Sequence, residues 1–225
     1  MSSIRSSLGA GALLLDSGGV LVRPDGELIA AEAAAMGIAV TPALAISAMH
    51  SANRNRDVHL PKSRSFEVNW GEAVGCSPRA AVRLWTKVIA EIPPVRLWSV
   101  ANPDALLLLN QLDRSVPRYV ITNSEGDAHH ELRACGLRHL VDGVLDSTQL
   151  GIKKPDLRIF QMGAVALGVP LDRCIYISDT LDAPTDANVR TILYDPFGVY
   201  SSDDRLRVEA RITSLTELLS IGAGS

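Results

Sequence analysis

The chain has 225 residues, 47% of them hydrophobic and 21% charged, with a formal net charge of −3. That length suits one α/β domain with an insertion or two small domains, and it buries enough surface to fold without metal or disulfide staples. The weak negative charge leaves no footprint for nucleic acid, and no run approaches the ~20 apolar residues of a membrane span. Three scattered cysteines, Cys76, Cys135 and Cys174, form neither a metal-ligand nor a disulfide pattern and favour a reducing, cytoplasmic setting.

The first element is LLLDSGGVLV, residues 13–22, read as a buried strand and its turn. The apolar run leading into it stops at Asp16 and carries no cleavage site, so a secretory signal is not expected. Residues 26–98 read as helices only. TPALAISAMHSA opens with Thr41 as N-cap and Pro42 at the first helical position. SPRAAVRLWTKVIAEIPP repeats the signal with Ser77 and Pro78, and Ala81, Leu84, Trp85, Val88 and Ile92 recur at helical spacing until Pro93 ends the run.

From residue 99 the pattern alternates. PDALLLLNQLDR is helical and RYVIT is a short buried strand. DAHHELRACG is a helix stopped by Gly136, and GVLDS is a strand. DLRIFQMGAVALG is a helix ending at Gly168, and CIYIS and TILYD are strands. SLTELLS closes the chain as a helix, with Ser214 and Glu217 spaced for a capping box. Strands alternating with helices argue for a doubly wound α/β fold, a parallel sheet covered on both faces. The expected partition is a core of residues 1–22 and 99–225 and a helical insert of residues 23–98.

Open α/β sheets bind ligands at the carboxyl ends of their strands. The first strand ends on Asp16, RYVIT ends on Thr122 before Asn123, and CIYIS runs into Ser178 and Asp179. GIKKPD brings Lys153 and Lys154 to the same edge. Taken singly, each residue could be a cap, a loop start or solvated surface. Together they deliver a carboxylate, a hydroxyl, an ammonium and a second carboxylate to one place.

This set resembles the haloacid dehalogenase superfamily, most of whose members are Mg²⁺-dependent phosphatases. LLLDSGGVLV matches its first motif except at one position, YVITNS its second, GIKKPDLRIF its third and, in part, CIYISDTLD its fourth. The resemblance implies a Rossmann-like core with an inserted helical cap. It also implies a hydrolase acting on a small organic phosphate through an aspartyl-phosphate on Asp16. Thr122 and Lys154 would be the other catalytic residues. Asp16, the Gly18 carbonyl and Asp179 would hold Mg²⁺, whose preference is for hard oxygen ligands. Asn123, through its backbone N–H beside Thr122, and Gly19 would contact substrate. The cap segment MHSANRNRDVHLPKSR holds His50, Arg54, Arg56, His59, Lys62 and Arg64 against one Asp57. It is either a solvated basic face or, through Arg54 and Arg56, the part that orients an anionic substrate.

Two positions depart from the family pattern. Gly18 stands where a second Asp usually protonates the leaving group, a contribution of ~10²–10⁴-fold. His50, His59 or Asp25 are candidates to replace it. In the fourth motif the usual second acid falls on Ala183 or Pro184, while Asp182 comes one place early. The departures keep two alternatives open: a metal-independent 2-haloacid dehalogenase, whose halide leaving group needs no proton, and a catalytically degenerate binding protein. The expected partner is a small anionic molecule and the expected state a monomer or homodimer.

Overall fold

The structure is a computed structural model and describes residues 11–58, 64–185, 187–201 and 207–220. Four consecutive buried aliphatic residues require a strand covered on both faces, and β1 (Ala12–Leu15) is that strand. Its turn leads into β2 (Val22–Arg23). Five helices follow: α1 (Gly26–Ala35), α2 (Pro42–Val58), α3 (Phe66–Ala73), α4 (Pro78–Glu91) and α5 (Pro94–Leu97). The expected caps form. Thr41 Oγ1 accepts from Leu44 N at 3.2 Å, and Ser77 Oγ accepts from Ala80 N at 3.3 Å. Each such cap contributes about 1 kcal/mol. Asp25 caps α1 through Leu28 N at 3.1 Å, so its carboxylate serves the helix and does not stand in for the acid missing at Gly18.

The helices have a hydrophobic cluster of their own. Ala81, Leu84, Trp85 and Val88, the apolar stripe read from the sequence, pack with Ile29, Ala45 and Trp70. Trp70 is fully buried, and its Nε1 donates to the Ala45 carbonyl at 3.0 Å.

The chain re-enters through β3 (Val100–Ala101), which pairs antiparallel with β2. This two-stranded ribbon carries both crossings between sheet and helices. Asn102 pins it: Nδ2 donates to the Val20 carbonyl at 2.7 Å and to Tyr194 OH at 3.2 Å, while Oδ1 accepts from Arg23 Nη2. Then come α6 (Pro103–Gln111), β4 (Arg118–Thr122), α7 (Ala128–Ala134), β5 (Gly143–Asp146), α8 (Ser147–Leu150), α9 (Leu157–Ala166), β6 (Cys174–Ser178), β7 (Arg190–Tyr194), β8 (Ala210–Ile212) and α10 (Glu217–Ser220).

The sheet order is β5-β4-β1-β6-β7-β8, with every neighbouring pair parallel. Strand order reverses at β1, which fixes the carboxyl end of β1 as the ligand-binding crevice of this topology. Alternation along β1 feeds two cores. Leu13 and Leu15 join Val120, Ile175 and Ile177 on one face, and Leu14 joins Ile121, Phe160 and Tyr176 on the other.

Two ends differ from expectation. β8 is a further strand that was not anticipated. At the C-terminus only half of the capping box forms: Glu217 Oε1 accepts from Ser214 N at 2.9 Å, but Ser214 Oγ accepts from Thr216 N at 3.2 Å. Among the described residues no helix is long and apolar enough to cross a membrane.

Candidate active site

Asp16 directly follows β1, Thr122 ends β4 and Asp179 follows β6, so the sheet delivers all three to its carboxyl edge. They line a cavity of about 660 Å³, together with Lys154 from the loop before α9 and His50, Asn53, Arg56 and Asp57 from α2. The three strand-end residues and Lys154 of the GIKKPD loop thus share one chamber.

At its floor lies a buried charge cluster. Lys154 Nζ sits 2.6 Å from Asp16 Oδ2 and 2.9 Å from Asp182 Oδ2, and donates to Tyr176 OH at 2.8 Å. Tyr176 OH in turn donates to Asp182 Oδ1 at 2.9 Å. Ser178 Oγ lies 3.2 Å from Asp16 Oδ2 and 3.1 Å from Asp182 Oδ1. Asp182, early by one place in the sequence, therefore reaches Lys154 nonetheless. Asn123 holds the Lys154 backbone from both sides: Nδ2 donates to its carbonyl at 3.0 Å, and Oδ1 accepts from its N–H at 2.8 Å. The Asn123 side chain is thus committed to placing Lys154, while the group expected at the substrate is the Asn123 backbone N–H.

Burial dominates the electrostatics. It pushes the Asp16 carboxyl above the ordinary carboxylate range, against the pull of Lys154. Burial also disfavours the Lys154 ammonium, but Asp16 and Asp182 outweigh it and hold the amine charged. Asp179 is pushed well above the usual range by burial, with Asp16 and Asp182 adding repulsion.

Asp179 depends on a glycine. Gly19 has φ +80°, and a Cβ there would lie 2.3 Å from Asp179 Oδ2. The Gly19 N–H is donated to the Val22 carbonyl at 2.9 Å. What Gly19, expected at the substrate, gives the site is room for the Asp179 carboxylate. His50 Nδ1 approaches Asp179 Oδ2 at 3.4 Å. Burial, with Arg23 nearby, holds the imidazole down at about 4, so it is neutral at physiological pH and the contact is not an ion pair.

The helical insert closes over the chamber through Asp57. Its Oδ2 accepts from Leu181 N at 2.8 Å and from Tyr200 OH at 2.9 Å. Arg56 lines the cavity, with Nε 3.7 Å from Asp57 Oδ1. Arg54 is not part of the lining; its Nη1 donates to Asn55 Oδ1 at 3.2 Å. His59 and Lys62 lie outside the described residues. Beside Gly18, where the family's second acid would project, stands the Trp98 indole, 3.3 Å from the position a Cβ would take.

Sequence reasoning missed Tyr176, Asp57, Trp98 and Glu131 as parts of this chamber. A signal existed for Tyr176, a hydroxyl in an otherwise aliphatic buried strand. The others come from elements whose approach only the tertiary fold defines.

The haloacid dehalogenase-like hydrolase family model matches residues 11–183. Phosphatase MT3486 of Mycobacterium tuberculosis (strain CDC 1551 / Oshkosh) is 35% identical over 102 residues, which are 43% of this chain and 47% of that protein. The match therefore spans about half of the curated relative. Among solved structures, the L-2-haloacid dehalogenase RSc1362 superposes with TM-score 0.64 at 20% identity, covering 96% of this chain and 99% of that one. A HAD family hydrolase from Deinococcus radiodurans R1 with bound phosphate and sodium gives TM-score 0.59 at 22% identity, covering 93% of each chain. At these identities the structures speak for the fold, which agrees with the sheet order and the strand-end cluster. With the family match spanning most of the sequence, the chain belongs to the haloacid dehalogenase-like hydrolases.

Proposed function

We propose that the protein is a Mg²⁺-assisted phosphatase of a small organic phosphate, with Asp16 as nucleophile and the helical insert as its cap. The observation that carries this reading is Asp179. It is 4% exposed and crowded against Asp16, and its contact partner is a neutral imidazole. Lys154 is committed to Asp16 and Asp182. A second buried carboxylate beside the nucleophile, facing a neutral imidazole, suits a hard cation.

The donor set fits Mg²⁺. Asp16, Asp179 and the Gly18 carbonyl are oxygen donors, and the turn at Gly19 leaves the space in which Asp179 lies. Among the described residues no three His, Cys, Asp or Glu side chains gather as a metal cage. Mg²⁺ does not require one, because it keeps several waters and takes one or two carboxylates plus substrate phosphate. When bound there, the ion supplies charge neutralisation at the phosphoryl group.

The chain's own residues account for the rest. Lys154 holds Asp16 in place and available as the carboxylate. Thr122, at the end of β4, offers its hydroxyl to a phosphoryl oxygen. Arg56 adds positive charge to the cap wall. Asp16 attacks phosphorus, the bond to the ester oxygen breaks, and the aspartyl-phosphate is then cleaved by water to inorganic phosphate and the free carboxylate. Closure of the cap excludes solvent water and strengthens each of these contacts. The sequence match to a phosphatase over part of the chain supports the same assignment.

A second reading rests on Trp98. An indole in place of the acid suits a leaving group that needs no proton, and Asp16 would then displace halide from a 2-haloacid without metal. One panel decides: phosphate esters and 2-haloacids, each with Mg²⁺ and with chelator. Phosphate release that chelator abolishes is the expected result. Chelator-resistant halide release would replace it with the second reading, and silence on both would mark a binding protein.

A further inference from the structure

The chamber has two chemical halves. Its floor holds the charges of Asp16, Lys154 and Asp182. The wall that Gly18 faces is apolar. There Pro24, Ile46, Met49, Pro94 and Trp98 line the cavity, and none of the five is ionisable. Pro24 and Met49 are buried and the other three half-buried.

Backbone and packing contacts join these residues into one surface. The benzo edge of the Trp98 indole, Cζ3 and Cη2, stands 3.3 and 3.4 Å from the place a Gly18 Cβ would occupy. Trp98 N donates to the Pro94 carbonyl at 2.7 Å. Asp25 N, next to Pro24, donates at 2.7 Å to the carbonyl of Leu97, next to Trp98. Gly26 then meets α2: a Cβ there would lie 3.1 Å from Ile46 Cγ1. Met49 is one turn on from Ile46, on the α2 face that carries His50. Trp98 packs against both the sheet cluster and the insert cluster, so the wall is seated where the two meet.

The α2 face changes character along its length. Ile46 and Met49 belong to the wall, while His50 and Asp57 reach Asp179 and Leu181 at the sheet edge. The cations of the lining, Arg56, Lys153 and Lys154, come from the far end of α2 and from the loop before α9. A ligand with its phosphoryl group at Asp16 meets, past Gly18, an apolar surface.

We infer that this wall receives the organic part of the substrate, and that the substrate is an aryl phosphate: a phosphate joined through oxygen to a neutral aromatic ring. The inference rests on the phosphatase reading and names its substrate class. Two features converge on it. An indole and a thioether on one apolar wall suit a flat ring. At Gly18, where no acid stands, the leaving oxygen must carry its negative charge unaided, and a phenol ionises at about 10, within reach of a leaving group.

The reaction balances without an acid. A carboxylate oxygen of Asp16 bonds to phosphorus, the P–O bond to the ring oxygen breaks, and its electron pair stays on the phenolate. Water then bonds to phosphorus, and the P–O bond to Asp16 breaks and returns the carboxylate. Both water hydrogens leave with the phosphate as H₂PO₄⁻, and the phenolate takes one of them through solvent.

Phosphonates test the wall apart from the chemistry, because their P–C bond offers no leaving oxygen. With Mg²⁺ present, calorimetry should give phenylphosphonate a Kd at least about 10-fold below that of methylphosphonate, the scale of an aromatic contact with its buried area. Trp98→Ala should bring the two within about 3-fold of each other. Ile46→Gln, at a half-buried position, should narrow the gap in the same direction and stands in if the fold needs the indole. In turnover, kcat/KM for phenyl phosphate should exceed that for ethyl phosphate by ~10²–10⁴-fold, the size of the missing acid's contribution. Methylphosphonate binding as tightly as phenylphosphonate, a gap that survives both substitutions, or equal turnover of the two esters would overturn the inference. Mg²⁺-dependent phosphate release from acetyl phosphate would then leave the phosphatase reading standing. No phosphate release from any of the three compounds would overturn both.

Discussion

Replacing Gly19 with alanine probes the site at a single methyl group. The Gly19 backbone has φ +80°, a region that costs an L-residue about 1–2 kcal/mol. The new Cβ would fall 2.3 Å from Asp179 Oδ2 and 2.4 Å from its Cγ. Non-bonded heavy atoms rest near about 3.5 Å, so the carboxylate must retreat by roughly 1 Å. Asp179 is 4% exposed, with His50 against one oxygen, so little space receives it. Strain alone should lower the melting temperature by about 2–8 °C for a chain of this size. Displacement of the carboxylate should reduce kcat/KM by up to ~10²-fold, the scale of a 1 Å misplacement, and raise the Mg²⁺ concentration needed for half-maximal rate. Differential scanning fluorimetry and a Mg²⁺ titration of phosphate release measure the two effects. Unchanged Mg²⁺ dependence and activity in a folded Gly19→Ala protein would refute the role given to Asp179.

Three further outcomes follow from the same geometry. Asp16→Asn should abolish hydrolysis while leaving the circular dichroism spectrum intact, since the amide keeps the shape and loses the nucleophile; residual turnover would place the nucleophile elsewhere. Asp57→Asn should loosen the cap, because the neutral amide oxygen that accepts from the Leu181 N–H and the Tyr200 OH forms weaker hydrogen bonds than the charged carboxylate. Faster exchange of the Leu181 amide would report it, and unaltered exchange would show that the contact holds nothing closed. Glu217 is held below its ordinary range by the Ser214 N–H first of all. Its stabilising contribution is therefore complete above the unfolded value, about 4.5, and disappears as pH falls through the folded one; Glu217→Gln should flatten that part of the stability profile, and superimposable profiles would dismiss the cap.

The strand ends were readable because burial and topology act on them directly. An aliphatic strand that stops on Asp16, and a Lys154 fixed before a helix, can go only to the carboxyl edge of a parallel sheet. The caps at Thr41 and Ser77 were equally plain, since each serves only its own first turn. Elsewhere the sequence is silent for physical reasons. Strands of two or three residues such as β2, β3 and β8 are too short to show a period. Asp25 looked like a free acid, but its nearest amide, Leu28, claims it. Asp57 was counted as the one acid in a basic run, whereas its position is set by Leu181 and Tyr200. Trp98 and Glu131 line the chamber from segments far apart in the chain, so they meet there only once the tertiary fold has formed.

The ribbon of β2 and β3 has a mechanical consequence. Both chain crossings run side by side and Asn102 ties them to Val20 and Tyr194, so an insert acting as the proposed cap would pivot on this ribbon, with Asp57 on Leu181 and His50 against Asp179 among its contacts on the far side. On the proposed reading, a ligand short enough to fit beneath α2 would let Asp57 engage, while a longer one would hold the insert open and leave the reacting charges in water; substrate length would then be measured after binding, and selectivity would fall on kcat more than on KM.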